Sequence, residues 1–127
     1  MIRAAAARGF TLVELIIVMA IIGLLATIVI PRFAARDRAL IAVMKSDLHN
    51  LLVQEEALKL DSGSYAVSVP TSMWIPSVGV TGPTIALTGD GWTAVVGHTT
   101  TERTCAIFVG STSLAPATAE GVPTCTP

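Results

Sequence analysis

The stretch from Gly9 to Pro31 reads GFTLVELIIVMAIIGLLATIVIP, and it decides how the rest of the chain must fold. Its apolar part, Phe10 to Ile30, contains one ionisable side chain, Glu14. About 20 apolar residues in a helix span the hydrocarbon layer of a bilayer. A carboxylate inside such a segment is costly and is usually functional, unless it lies near the end of the span and reaches the headgroups.

The residues around Glu14 favour a functional role. A short basic leader with Arg3 and Arg8 precedes Gly9-Phe10-Thr11-Leu12, and the apolar run continues after Glu14. This arrangement resembles the type IV prepilin signature, which type IV pilins share with the pseudopilins of type II secretion. The resemblance covers residues 1 to about 60. It implies that a prepilin peptidase cleaves between Gly9 and Phe10 and methylates the new amino group of Phe10.

The resemblance also implies a domain organisation and a location. Charge alone leaves the orientation open, because basic residues lie on both sides of the span. The resemblance implies a cytoplasmic leader and a periplasmic head on a single-pass inner-membrane protein, which later joins an extracellular filament. The expected parts are a cleaved leader (1–9), a transmembrane or filament-core helix (10–31), an amphipathic helix (32–61) and a small β-rich head (62–127).

The helical pattern continues beyond Pro31. Apolar residues recur every three or four positions, which predicts one buried stripe on a helix that extends from Phe10 to about Leu60. Such a helix is about 75 Å long, more than so small a head can bury. Its first half therefore needs lipid or other subunits. The stripe comprises Leu40, Ile41, Met44, Leu48, Leu51, Leu52 and Leu58, and the charged residues expected largely off it are Lys45, Asp47, Glu55, Glu56 and Lys59.

One part of the helix is intrinsically weak. It combines glycine, β-branched residues and proline, all poor helix formers. We expect it to remain helical in a membrane, where open backbone groups are costly, and to unwind in part when protein neighbours surround it. The residues concerned are Gly23, Thr27, Ile28, Val29, Ile30 and Pro31.

The head is predicted to be a short antiparallel meander, which gives an α+β fold with the lollipop form of a pilin. Asp61–Ser64 should end the helix, and Tyr65–Gly91 should be mostly loop. Within that loop, Trp74-Ile75 could dock onto the helix and Ile85–Thr88 could form a short strand. Alternation predicts two further strands and a polar connection, followed by an irregular tail. These are Trp92–Thr99, Thr104–Gly110 and the connection Thr99–Arg103.

Two cysteines, Cys105 and Cys125, lie in the last quarter of the chain. In a small exported domain such a pair suggests a disulfide, whereas in a cytosolic protein two free thiols would be expected. A bond between them resembles the disulfide-bounded C-terminal loop of many pilins.

The sequence suggests no catalytic site, cofactor or metal. The histidines, His49 and His98, lack partners at catalytic spacing, and the acids of the head are too scattered for a calcium site. A net charge of −1 gives no general attraction to nucleic acid. The clustered Arg32, Arg36 and Arg38 are assigned instead to lipid headgroups or to acids of neighbouring subunits.

The expected function is self-assembly rather than catalysis. The resemblance implies a pilin that polymerises with copies of itself, with prepilin peptidase, the inner-membrane assembly machinery and membrane lipid as partners. The cysteine pair and the missing calcium-type cluster favour a pilin, and a pseudopilin of type II secretion is the alternative. A single-pass membrane protein with a small periplasmic domain is more remote. The sparsely charged, threonine-rich head could be covered by neighbouring subunits or carry O-linked glycans.

Overall fold

The computed structural model describes residues 9–127, and for residues 30, 31 and 34 it describes the backbone alone. The leader before Gly9 lies outside the described residues. Helix α1 (Leu12–Ser62) is followed by strands β1 (Val80–Leu87), β2 (Trp92–His98), β3 (Thr101–Val109) and β4 (Thr124–Cys125). The strands pair antiparallel in the order β1-β2-β3-β4. The predicted α+β class is confirmed.

Helix α1 has 51 residues, close to the length that the apolar pattern predicts. It ends where the sequence indicates, because Gly63 adopts a left-handed conformation with φ of 81° and its N–H donates to the Lys59 carbonyl at 2.8 Å. Glycine is the residue that adopts this helix-ending geometry most readily. The chain forms two compact units, the first ending at Arg36 and the second comprising Asp37–Pro127.

The core of the second unit forms between one stripe of α1 and one face of the sheet. The stripe has the predicted spacing of four and three residues, with Met44, Leu48 and Leu51 fully buried. Alternate residues of β2, namely Trp92, Ala94 and Val96, face it and are equally buried. The alternation predicted for β2 is therefore confirmed.

The opposite face of the sheet has a core of its own. Ala106 and Phe108 alternate with the residues of the main core and pack instead against Ala117 and the half-buried Leu114. The tail was expected to be irregular, but it contributes β4, which pairs with β3, and the Gly121 N–H donates to the Phe108 carbonyl at 2.8 Å. The tail thus covers the second face.

Three further expectations for the head are corrected. Strand β1 extends over Val80–Leu87 rather than Ile85–Thr88, and its register shifts between Thr81 and Thr84, on either side of Pro83. Proline has no backbone N–H to donate, so the pattern of a regular strand is interrupted there. Strand β3 begins already at Thr101, which shortens the connection from β2.

The third correction concerns Trp74-Ile75. Trp74 does dock onto the helix, with its indole N–H donating to the Asp47 carbonyl at 3.0 Å, but Ile75 is 71% exposed. Only the tryptophan of this pair therefore docks.

Two acids expected to lie off the helix stripe are buried on it. Asp47 is 4% exposed, and its two carboxylate oxygens accept from the Ser77 N–H at 2.7 Å and the Ser77 hydroxyl at 2.8 Å. Glu55 is fully buried and accepts from the Ala66 N–H at 3.0 Å. Eight residues of helix separate the two acids, so they lie on one face. They tie the two ends of the loop between α1 and β1 to the helix.

The two acids differ in how completely they are satisfied. Both oxygens of Asp47 have partners, whereas Glu55 Oε1 has none among residues 9–127. Burial raises the pKa of Glu55, the hydrogen bond from Ala66 opposes that rise, and the charge of Glu56 adds to it. The fold therefore favours the neutral form of Glu55.

This environment predicts a specific pH dependence of stability. The folded pKa of Glu55 lies above its unfolded value of 4.5, so its contribution to stability is complete below that pH. The contribution is lost as the pH rises through the folded pKa, because the native state then binds more protons than the unfolded state. Replacing Glu55 by Gln should remove this loss, so the variant should gain stability relative to the wild type between pH 4 and pH 7.

The measurement is urea unfolding of the detergent-solubilised chain, followed by the fluorescence of the buried Trp74 and Trp92. Glu102→Gln is the matched control, because Glu102 is an exposed acid in β3 whose side chain makes no hydrogen bond among the described residues. A pH-independent difference between Glu55→Gln and the wild type would contradict the interpretation.

Candidate assembly site

The first turn of α1 is closed by a side-chain cap. The Glu14 N–H donates to the Thr11 hydroxyl oxygen at 3.2 Å, and the Leu15 N–H donates to the Thr11 carbonyl at 3.2 Å. Thr11 therefore occupies the N-cap position, and Glu14 is the third residue of the helix. The sequence signal was present as Thr-x-x-Glu, a typical capping-box spacing, but sequence reasoning assigned Glu14 an assembly role only.

Glu14 lies on the surface of this turn. Its side chain is exposed, and within residues 9–127 no hydrogen bond or ion pair reaches its carboxylate. A carboxylate in the first turn interacts favourably with the helix dipole, but only by about 0.3–1 kcal/mol. The predicted partner, an amine at Phe10, does not exist while the Gly9–Phe10 peptide bond is intact.

The apolar segment after Glu14 has no internal partner. Residues Leu12–Val29 have a mean hydropathy of 2.8, and none of this window is buried. The large aliphatic side chains are exposed all round the helix. A helix that is apolar on every side requires an apolar environment on every side. By length and composition this segment can cross a membrane.

The segment predicted to be weak is helical from Gly23 to Pro31. The Thr27 hydroxyl donates to the Leu24 carbonyl at 2.7 Å, so its polar group is satisfied within the helix. This conformation corresponds to the membrane state in the sequence interpretation. Unwinding concerns the assembled state and stays a prediction.

The expected cleavage point lies outside the helix. Gly9 and Phe10 precede α1, and Phe10 is 81% exposed. Their peptide bond is therefore not part of the helical hydrogen-bond ladder, which suits a bond that a peptidase must reach. Cleavage and methylation stay predictions.

At the other end of the chain, a disulfide joins Cys105 in β3 to Cys125 in β4. Two further contacts hold the last residues: the Thr126 N–H donates to the Thr104 carbonyl at 2.9 Å, and Arg103 Nη1 donates to the Thr126 carbonyl at 3.2 Å. The bond closes a loop of about 20 residues, for which chain-entropy arguments give roughly 3 kcal/mol of stabilisation. The tail is thus fixed to the sheet both covalently and by hydrogen bonds.

The histidines play local roles. His98 Nδ1 accepts from the Thr100 N–H at 3.2 Å, within the turn between β2 and β3, and His49 is exposed on α1. Across residues 9–127, no group of three or more His, Cys, Asp or Glu side chains could hold a metal ion.

The fold and the N-terminal site together define a class of protein. Its members have an exposed apolar helix with a capped, acidic first turn and a small α+β head that is closed by a disulfide. Comparison with protein families supports this class, because residues 5–30 match the model described as the prokaryotic N-terminal methylation motif.

Two characterised proteins are similar. The type IV wide pilus major component PilA4 of Thermus thermophilus is 33% identical over 97 residues, 72% of this chain and 74% of that protein. The type II secretion system core protein G of Pseudomonas aeruginosa is 38% identical over 58 residues, 45% of this chain and 41% of that protein. No solved structure matches significantly. The chain belongs to the type IV pilin-like family.

Proposed function

We propose that this protein is a structural subunit, a type IV pilin, that polymerises through its N-terminal helix. The observation that carries the proposal is the apolar surface of Leu12–Val29, which is unburied all round and includes the acidic first turn of the helix. Lipid covers this surface before assembly, and other copies of the chain cover it in the filament. The chain is a building block and not an enzyme.

In this proposal, prepilin peptidase removes residues 1–9 and methylates Phe10. Segment 10–31 anchors the subunit in the inner membrane with its head, 62–127, in the periplasm, and 32–61 is the amphipathic part of the helix. The assembly machinery of the inner membrane then transfers the subunit into an extracellular pilus.

The extent of the similarities favours a pilin over a pseudopilin. The match to the pilus component covers 72% of the chain, whereas the match to the secretion protein covers 45%. The pseudopilin remains the alternative. Shed extracellular filaments in which this chain is the main component would support the pilin. Cells that shed no such filaments, but need this chain for type II secretion, would favour the pseudopilin.

The first prediction concerns processing. The mature protein should begin at Phe10 and carry the additional mass of one methyl group on its amine, as intact-mass spectrometry of native protein would show. Gly9→Val should retain the leader, because it changes the residue before the scissile bond. Gly23→Ala is the control, since both glycines have open space where a Cβ would lie. Filaments built from chains with an intact leader would contradict the proposal.

Glu14 gains a partner only after cleavage. The new amine at Phe10 is cationic even when methylated, and it lies four residues from Glu14 in the same chain. A buried charge without a partner costs about 3–5 kcal/mol. In the filament core, Glu14 of one subunit can pair with the Phe10 amine of another. Any axial register that separates the two groups leaves both charges unpaired and is therefore less stable. The own-chain pair is the alternative arrangement.

Replacing Glu14 by Ala should leave insertion in the membrane intact and abolish or strongly reduce filaments. Membrane fractionation and electron microscopy of the cell surface measure the two effects separately. Glu102→Ala is the matched control, because Glu102 is an exposed acid in β3 whose side chain makes no hydrogen bond among the described residues. Normal piliation of Glu14→Ala cells would refute the role.

The weak segment should unwind in part on assembly, because buried protein neighbours can satisfy backbone groups that lipid cannot. About eight residues that pass from 1.5 to roughly 3.3 Å per residue would lengthen the subunit by at most about 14 Å. The head could then shift along the filament axis while Phe10 and Glu14 stay in register.

Carbon chemical shifts of Ile28 and Val29 in solid-state NMR measure this directly. They should be helical in membrane-inserted subunits and non-helical in filaments. Pro31→Ala restores a backbone donor and should move the filament values towards helix. Helical shifts in wild-type filaments would contradict unwinding.

A further inference from the structure

Two arginines follow the apolar segment on one side of α1. Arg32 and Arg36 are exposed and lie four residues apart, one helical turn, in the first compact unit. No acid lies three or four residues from either of them, and among the described residues neither guanidinium makes a hydrogen bond or ion pair. Two like charges at this spacing repel each other, so an anion bound between them would stabilise the helix.

Arg32 lies at the depth of the headgroup layer of a membrane, and Arg36 lies one helical turn beyond it. The apolar window ends at Val29, and at 1.5 Å per residue Arg32 and Arg36 lie about 4.5 and 10.5 Å further along the helix. The polar layer on each side of a bilayer is about 5–7 Å thick. Arginine side chains extend along the helix towards such an interface, which brings both guanidinium groups within reach of lipid phosphates.

Their side of the membrane is unexpected for arginine. In the proposed orientation both residues lie outside the cytoplasm, where basic residues are disfavoured in short flanking segments. Cleavage after Gly9 also removes Arg3 and Arg8 from the cytoplasmic side. The mature chain would then have its basic cluster on the outer side of the membrane. An anion bound there would compensate for the unfavourable placement of these positive charges.

We propose that Arg32 and Arg36 form a binding site for the phosphate of anionic phospholipids in the outer leaflet of the inner membrane. The guanidinium group is planar and binds phosphate through two parallel hydrogen bonds, and two such groups one turn apart can share one headgroup. Phe33 is exposed beside them and places an apolar ring at the same level. The site rests on the proposed function, since it is occupied only while the subunit is in the membrane.

The test measures lipid preference around the full-length chain in phosphatidylcholine vesicles. Trace spin-labelled phosphatidylglycerol or phosphatidylcholine is added, and the motionally restricted fraction gives the relative association. The wild type should prefer phosphatidylglycerol by about fivefold or more, the factor expected for one arginine near an anionic headgroup. High salt should reduce the preference.

The double variant Arg32→Gln/Arg36→Gln should lower the preference about fivefold or more, to the level that the remaining Arg3, Arg8 and Arg38 produce, because it removes both guanidinium groups. Arg32→Lys/Arg36→Lys should restore it in part, since lysine keeps the charge but not the bidentate geometry. Lys45→Gln is the control: Lys45 is exposed on the same helix but about 24 Å beyond Val29, outside the headgroup layer. Its preference should equal that of the wild type.

Three results would overturn the proposal, and they differ in what else they exclude. A wild-type chain that inserts and resists alkaline extraction, yet shows no preference for phosphatidylglycerol, excludes the lipid site and leaves the proposed function intact. A double variant that keeps the preference but loses filaments assigns the arginines to acids of a neighbouring subunit. A wild-type chain that alkali extracts from the vesicles contradicts the proposed function itself.

Discussion

An apolar helical surface without an internal partner is the constraint on which the rest of the molecule depends. Leu12–Val29 is exposed all round, and the described part of its own chain covers none of it. Burying apolar surface is worth about 25 cal/mol per Å², so leaving this surface in water would be prohibitive. In the proposed function, the chain exchanges one apolar environment for another, lipid for protein. Glu14 would make that exchange selective, because a charge in an apolar core needs a partner in a fixed position.

The head is built on the second half of the same helix, and two buried carboxylates fix its loop. Asp47 and Glu55 each accept a backbone N–H from the segment between α1 and β1. The disulfide and the tail contacts secure the far side of the sheet. The loop and the tail of the head are therefore fixed to its own part of the helix and to its sheet.

Local sequence patterns predicted most helix and strand positions. The features that were not predicted mostly depend on contacts with residues distant in sequence. Hydropathy and apolar spacing predicted α1 and the alternation of β2, and turn-forming residues predicted the end of α1 within Asp61–Ser64, because each depends on neighbouring residues. The burial of Asp47 was not predictable, since its partner Ser77 is 30 residues away and a charged residue in a helix is usually exposed. Strand β1 was underestimated because Gly82-Pro83 signals a loop. The cap at Thr11 was readable as Thr-x-x-Glu, but the apolar run dominated the interpretation.

The most direct test of this account is a high-resolution cryo-electron microscopy map of filaments that contain this chain. The account predicts that Leu12–Val29 is enclosed by the same segment of neighbouring subunits. It also predicts that the Glu14 carboxylate lies within ion-pair distance of a methylated Phe10 amine. A filament whose contacts involve only the heads, with Leu12–Val29 outside the core or Glu14 facing solvent, would contradict it.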